Sequence, residues 1–458
     1  MYKSTRGGVK DVSFESAVRA GLAPDGGLFV PQNGIPTLSK EVLEKMRDAS
    51  FAELAMNVMS KFIPEKEIPG EDLEKLIKKT YVTSKAFRDP KITPVVSLDD
   101  DPSQPKIMEL FHGPTYAFKD VALQFLGNLF EYFLERDTKS NTITILGATS
   151  GDTGSASIAG LLGKRGVTTF ILFPEGKVSP IQERQMTTLA AKDDSVHCLS
   201  VKGTFDHAQA IVKELFVDKD FQADFQLGAV NSINFARILA QIVYYFSAYY
   251  QVTKSNKEVV NFVVPTGNFG DILAGFYAKQ MGLPIGKLVV ATNSNDILHR
   301  FFESGKYHRE ECKPTISPSM DICISSNFER FLLWVANDDT SKISKWMKGV
   351  KENGKLTLQG DLLNKARSVM RSANASEQDI LSCIREIQDK YVFIYLFMCV
   401  CVCVEILVSL HLLTRRLAHS PTRSLTHLLT HPSNSISQIR LYLMSSLCNR
   451  SCGTSKTC

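Results

Sequence analysis

From about residue 94 to about residue 300, short apolar runs rich in β-branched side chains alternate with amphipathic helical patterns. TITILG precedes SASIAGLLGKRG, TTFILFP precedes IQERQMTTLAA, VHCLSVKG precedes DHAQAIVKELF, VVNFVVP precedes DILAGFYAKQMG, and KLVVATN precedes DILHRFFESG. Parallel strands cannot be joined by tight turns, so each needs a crossover, which a helix of this length supplies. The alternation restricts this part of the chain to an α/β architecture, parallel sheets flanked by helices. Residues 1–93 read differently, as a small α-rich unit. It opens with GLAPDGGLFVP, continues with helical patterns in LSKEVLEKMRDASFAELAMNVMSKF and EDLEKLIKKTYVTSK, and closes at the proline-bearing DPKITPVVSLDDDPSQP.

A third change of character comes at residue 391. Residues 94–391 keep the α/β pattern, whereas 392–458 begin with VFIYLFMCVCVCVEILVSLHLL, 22 residues with one acid, and continue into RRLAHSPTRSLTHLLTHPSNSIS. The run is long enough for a membrane helix and is followed by Arg415 and Arg416. The alternating CVCVCV and the Thr-His repeats favour the other reading, a divergent low-complexity tail from an altered 3′ exon or a retained intron. The tail also explains the net charge of +5, since it holds six of the 53 basic residues and one of the 48 acids. The rest of the chain is neutral, which argues against nucleic acid as a partner. Four scattered cysteines before the tail, no CxxC pair and no apolar core of signal-peptide length in MYKSTRGGVKDVSF point to a cytoplasmic protein without structural zinc.

Lys119 breaks the pattern of its own segment, ELFHGPTYAFKDVALQFLGNLFEYFLER. At about 100° per residue, Asp120, Gln124, Asn128, Glu131 and Glu135 share one polar stripe, and Lys119 projects roughly 140° from its centre, among Phe118, Val121, Ala122, Phe125 and Leu126. Burying an ammonium costs several kcal/mol unless something neutralises it. Lys119 therefore either snorkels from a frayed helix start or is held as something other than a free ammonium. His112, just upstream, reads as a cap of the turn before it.

Three small-residue turns sit at helix starts, two of them directly after apolar strands, where open α/β sheets bind ligands. GATSGDTGSA offers Thr149, Ser150, Thr153 and Ser155 and a helix N-terminus to an anion, and lacks the GK[ST] ending of a nucleotide P-loop. PTGNFGDILAG offers Gly267 and Gly270 for close approach and the amide of Asn268. AVNSINFARILAQ places Asn231, Ser232 and Asn234 before a helix with Arg237 in its first turn: a second anion site, or an N-cap with a surface arginine. A lysine in an apolar slot beside two anion sites suggests pyridoxal 5′-phosphate (PLP), because an apolar setting favours the neutral amine that imine formation requires.

Long stretches of the chain also resemble the threonine synthases of the eukaryotic type, which are fold-type II (tryptophan synthase beta-like) PLP enzymes. STRGG, GLAPDGGLFVP, ELFHGPTYAFKDVALQFLGNLFEYFL, GATSGDTGSA, GTFDHAQAIVKELF, GAVNSINFARILAQIVYYF, VVPTGNFGDILAGFYAKQMGLPI and ISSNFERFLLW carry the likeness, over residues 2–391, about 85% of the chain. The resemblance implies a carbon–oxygen lyase acting on phosphates that converts O-phospho-L-homoserine and water to L-threonine and phosphate. It implies Lys119 as the Schiff-base lysine and Gly267, Asn268, Phe269, Gly270 and Asp271 as the loop on the PLP phosphate. Ser150, Asp152 and Thr153 match the loop facing the substrate carboxylate and the cofactor ring, and Asn231, Ser232, Asn234 and Arg237 are candidates for the substrate phosphate. It implies a monomer or homodimer, and no metal.

The sequence departs from the family after Tyr391: the family's PHTAV and TAHPAKF, whose threonine hydrogen-bonds the pyridine nitrogen, are both missing, and LTHP at 429–432 is a superficial echo. Two alternatives follow: a catabolic phospholyase that splits O-phosphothreonine or O-phosphohomoserine to 2-oxobutyrate, ammonia and phosphate, or an inactive isoform with a membrane-associated tail. GNFGD keeps the biosynthetic form of the phosphate loop, which favours synthase over phospholyase.

Overall fold

The computed structural model describes residues 1–97, 105–138, 141–149, 151–191 and 193–390. The N-terminal segment pairs β1 (Tyr2–Ser4) antiparallel with β2 (Phe29–Pro31) around α1 (Phe14–Ala20), and continues through α2 (Lys40–Lys45), α3 (Phe51–Met59) and α4 (Gly70–Lys78). Ser13, Ser39 and Ser50 cap the first three helices by accepting backbone N–H bonds, and Ser50 with Glu53 forms a full capping box. A π-helical turn, Lys79–Thr83, leads to β3 (Val95–Ser97), which pairs antiparallel with β4 (Lys106–Met108).

The expected α/β pattern follows. After α5 (Asp120–Arg136) come β5 (Ile143–Ala148), α6 (Asp152–Leu161), β6 (Val167–Pro174), α7 (Pro180–Ala190), β7 (Val196–Val201), α8 (Phe205–Val217), α9 (Lys219–Phe225) and β8 (Leu227–Gly228). These strands form one parallel sheet in the order β7-β6-β5-β8. Next are α10 (Phe235–Val252), β9 (Val260–Pro265), α11 (Gly270–Gln280), β10 (Ile285–Thr292), α12 (Ile297–Ser304) and β11 (Lys306–His308). Then α13 (Phe328–Val335), α14 (Thr340–Asn353), β12 (Lys355–Thr357), α15 (Gly360–Val369), β13 (Met370–Asn374) and α16 (Glu377–Lys390) complete the described chain. The second parallel sheet runs β13-β10-β9. All five strands and five helices expected from the alternation are present. β8 has two residues and β13 reads MRSAN, so neither carries an apolar signature.

The two sheets are joined by helices rather than by strands. α10 is buried along its whole length from Phe235 to Tyr249, and packs against α3, α5 and α11. Each fully buried aromatic of this helix contributes about 2–3 kcal/mol of transfer free energy. α5 crosses α6 at two glycines: a Cβ on Gly127 would stand 2.0 Å from the Gly160 carbonyl oxygen, and one on Gly160 2.5 Å from that of Leu123. The N-terminal segment shares this core, since Tyr2, Phe14 and Phe62 cluster with Phe133 and Phe235.

Three of the five polar stripe residues of α5 are buried, while Gln124 is half-buried and Glu135 is exposed. Asp120, Asn128 and Glu131 are all shielded from solvent and satisfied internally: Asp120 accepts from Thr115, Asn128 donates to Thr80 Oγ1 and accepts from Lys164, and Glu131 accepts from Lys79 and the Arg165 amide. Periodicity located the stripe, but a solvent face and a hydrogen-bonded seam look alike in sequence. Among the described residues no helix is long and apolar enough to cross a membrane; the apolar run at 392–413 lies outside them.

Candidate active site

Lys119 immediately precedes α5 and keeps helical backbone angles, but its Nζ ends on polar partners rather than in the apolar slot its periodicity implied. It does not reach solvent: its side chain is 13% exposed, and Nζ donates to Asp152 Oδ1 at 2.8 Å and to Thr153 Oγ1 at 2.8 Å. Burial lowers the lysine's pKa, the Asp152 carboxylate opposes that, and the charge of Arg237 adds to it; the net direction is down. For Asp152, burial alone would raise the pKa, but the Lys119 ammonium together with hydrogen bonds from Ser319 and the Thr153 amide holds the carboxyl below its usual range. The pair stands between β5 and α6 on one side and the start of α5 on the other, at the C-terminal end of a parallel sheet.

The turn that presents Asp152 is organised by Thr149. Its buried hydroxyl accepts from the amides of Gly151 and Gly154 at 3.0 and 2.9 Å, and Ser155 donates to the Asp152 carbonyl. Thr149 and Ser155, expected to be free for an anion, are thus engaged in shaping the turn. Gly151 has φ of 151°, a conformation open to glycine, and no side chain caps α6. Ser150 lies outside the described residues.

The loop between β9 and α11 forms a second concave turn. Phe269 is left-handed (φ 64°) and buried, and α11 has no side-chain cap, so its first amides point out of the helix without a side-chain acceptor. A Cβ on Gly267 would approach Ile322 to 3.0 Å. Asp271 turns its carboxylate away from this turn: Oδ1 accepts from the hydroxyls of Tyr244 at 2.6 Å and Tyr245 at 2.8 Å, and burial raises its pKa.

The third stretch is divided by its contacts. Asn234 is an N-cap: its Oδ1 accepts from the Ala236 amide, and its Nδ2 donates to the carbonyls of Val18 and Ala229. Ser232 instead joins a chain of side chains, its hydroxyl 3.1 Å from that of Ser326, which donates to Asn268 Oδ1 at 3.1 Å. Arg237 is no surface residue. It is 2% exposed, donates from Nη1 to the Val230 carbonyl at 3.0 Å, and its Nε has no partner among the described residues. Burial pushes its pKa down to about 10, against the pull of Asp152. Asn231, Ser232, Arg237, Asp152, Lys119 and the 267–271 loop line one cleft of about 3400 Å³.

Two contributors were missed by sequence reasoning. Ser325, Ser326 and Asn327 of ISSNFERF hold the 267–268 backbone and Ser232 together: Ser325 donates to the Gly267 carbonyl at 2.6 Å, and Asn327 Nδ2 bridges the carbonyls of Ser232 and Asn268. Asp120 is the other, not as a lining residue of the cleft but as the anchor of the turn that leads into Lys119. Its carboxylate accepts from the Thr115 amide and hydroxyl, both at 2.8 Å, and burial lifts its pKa to about 7. His112 pairs with Glu109 through Nε2 at 2.8 Å.

The cleft fits PLP on its own chemistry. It presents an amine of lowered pKa, an uncapped helix N-terminus behind a glycine-lined turn, and a buried cation with an unused donor. Among the described residues no group of three or more His, Cys, Asp or Glu could hold a metal ion.

Comparison with known proteins agrees with this reading. Residues 1–81 match the family model "Threonine synthase N terminus" and residues 91–344 match "Pyridoxal-phosphate dependent enzyme". The threonine synthase of Schizosaccharomyces pombe is 48% identical over 421 residues, an alignment covering 86% of this chain and 80% of the relative. The chain belongs to the threonine synthase family. Solved threonine synthases superpose on it closely: the yeast enzyme with a TM-score of 0.79 at 49% identity, covering 85% of this chain and 79% of that one. The PLP-bound threonine synthase of Brucella melitensis gives 0.80 at 43% identity, covering 86% and 82%. The fold is therefore that of the fold-type II PLP enzymes, the cofactor is PLP, and the activity is threonine synthase rather than phospholyase.

Proposed function

We propose that the chain converts O-phospho-L-homoserine and water to L-threonine and phosphate, with Lys119 as the amine that holds PLP and moves protons. The observation that carries this reading is the 2.8 Å contact of Lys119 Nζ with Asp152 Oδ1 inside a cleft that also contains Arg237. When bound, PLP supplies the electron sink that makes the substrate's Cα proton removable.

Each residue then has a separable task. The amides at the start of α11, with Gly267, Asn268, Phe269 and Gly270, would hold the cofactor phosphate, and Asp271 anchors that helix start. Lys119 Nζ would take and return protons at Cα once free of the cofactor; its lowered pKa keeps a useful fraction unprotonated. Asp152 and Thr153 orient Nζ by accepting from it, and lie where a substrate carboxylate would approach the α6 amides. Arg237, with Asn231 and Ser232, is placed to hold the phosphate that leaves from Cγ, because a buried guanidinium with a spare donor gains most from a dianion. Asn234 supports this group from behind as the cap of α10. Balance requires that a proton also be taken from Cβ as phosphate leaves and one be delivered to Cγ, a task Lys119 Nζ would share; water adding at Cβ then completes the threonine.

We also assign the chain a domain division at 1–93, 94–391 and 392–458, a cytoplasmic setting and a monomeric or homodimeric state. Incubation of purified protein with PLP and O-phospho-L-homoserine tests the function: threonine and phosphate in equal amounts support it, and 2-oxobutyrate without threonine refutes it.

A further inference from the structure

Tyr244 and Tyr245 are fully buried neighbours on α10, and both hydroxyls donate to the same oxygen, Oδ1 of Asp271, at 2.6 and 2.8 Å. Adjacent residues on a helix point about 100° apart, so two of them converge on one atom only if that atom lies between their directions. Asp271 occupies that place as the second residue of α11, immediately after the left-handed Phe269 and Gly270. One turn further along α11, Gly275 makes room for the same tyrosine: a Cβ there would stand 2.6 Å from Cε1 of Tyr245. The Tyr245 ring also packs edge to face on Phe262 of β9, at 5.0 Å. The start of α11 is thus tied to α10 at one oxygen and wedged against it at one glycine. The strand that feeds it is held by the same ring. Arg237 is on α10 one heptad before Tyr244, so the helix that carries the second anion site also sets the direction of the first.

We propose that Tyr244 and Tyr245 are positioning residues for the cofactor phosphate: by clamping Asp271 they aim the open amides at the start of α11. The proposal rests on the reading of that helix start as the PLP-phosphate site. Neither hydroxyl needs to touch the cofactor. Two donors on Oδ1 also draw negative charge of Asp271 away from the turn, where it would oppose a phosphate dianion.

The test uses the full chain, stripped of PLP and titrated with it, following visible absorbance and the phosphorus NMR shift of the bound phosphate. Tyr244→Phe and Tyr245→Phe each remove one hydroxyl and keep the ring. Each is expected to raise the PLP Kd about tenfold, the loss of a hydrogen bond to a charged group, and to move the phosphorus resonance. The position of the visible band stays fixed, because the bond to Lys119 is untouched. Tyr249→Phe is the control: it lies on the same helix, but its hydroxyl donates to the carbonyls of Ser255 and Glu258, away from α11. Unchanged Kd and phosphorus shift in both Phe variants overturn the proposal, as does an equal loss in Tyr249→Phe, which would mean general loosening of α10. If one variant fails to fold, the other carries the test alone. Failure of the parent reading looks different: the unmodified protein would then bind no PLP, and the clamp would have no phosphate to position.

Discussion

Nζ of Lys119 stands 2.8 Å from Oδ1 of Asp152, and the two residues come from different units of the fold, the start of α5 and the start of α6. The two helices that carry them meet in backbone contact at Gly127 and Gly160, eight residues or about 12 Å further along each helix, which keeps their starts on neighbouring tracks. The carboxylate is the one influence that raises the lysine's pKa against burial and Arg237.

Asp152→Asn should therefore shift the pH dependence of PLP uptake by the apo-protein to lower pH. With the carboxylate gone, burial and Arg237 act unopposed, the lysine deprotonates more easily, and neutral amine is available further into the acid range. Turnover falls all the same, with kcat/KM down about 100-fold, since Nζ is no longer aimed. An unshifted uptake profile would show that Asp152 does not set the lysine's charge.

Arg237→Gln should weaken substrate capture more than cofactor capture. We expect kcat/KM for O-phospho-L-homoserine to fall about 100-fold or more with the PLP Kd nearly unchanged, a loss in the range of a charge-assisted bond to phosphate. Arg237→Lys restores little, because a guanidinium fork and an ammonium point charge do not hold a phosphate alike. Inorganic phosphate should protect the parent protein and not the variant.

Asp120 gives the protein a stability that declines with rising pH. Its carboxyl has a pKa near 7 in the folded chain against 3.8 as an ordinary aspartate, so between these values the folded state holds a proton that the unfolded state has released. Stability falls as pH rises from about 4 to about 7 and is level above, by at most about 4 kcal/mol from this group. Asp120→Asn lacks that slope. Urea denaturation midpoints measured across this range should show the variant gaining on the parent protein as pH rises; a constant gap would contradict the assignment.

Gly127→Ala should destabilise the fold by about 3 kcal/mol, the cost of forcing α5 and α6 apart. A variant at Gly163, where a Cβ meets nothing within 4 Å, pays only for its left-handed backbone and should lose about 1 kcal/mol. Thermal unfolding of the two variants checks the order.

How much of this was legible beforehand depended on whether a residue's role is local. Strands such as β5, β6 and β9 announce themselves through β-branched apolar runs, and the loops at 147–156 and 265–275 through glycines at strand ends. Lys119 stood out because one charge disagreed with its neighbours. β13 was invisible: MRSAN becomes a strand only because β10 offers it a parallel edge. The buried seam of α5 and the Tyr244–Asp271–Tyr245 clamp were hidden for the same reason, since a polar side chain carries no sign of whether water or protein satisfies it. Ser326 and Asn327 join two loops more than 50 residues away in sequence, a relation that only the folded chain contains.

The most direct measurement of the central claim is product analysis with and without Lys119. Full-length protein and its Lys119→Ala variant are each given PLP and O-phospho-L-homoserine, and threonine, 2-oxobutyrate and phosphate are quantified together with visible absorbance. The parent protein is expected to give threonine and phosphate in equal amounts, and the variant to lose both the products and the lysine-linked absorbance. Threonine formation that survives in Lys119→Ala, or a parent protein that yields 2-oxobutyrate in place of threonine, would contradict it.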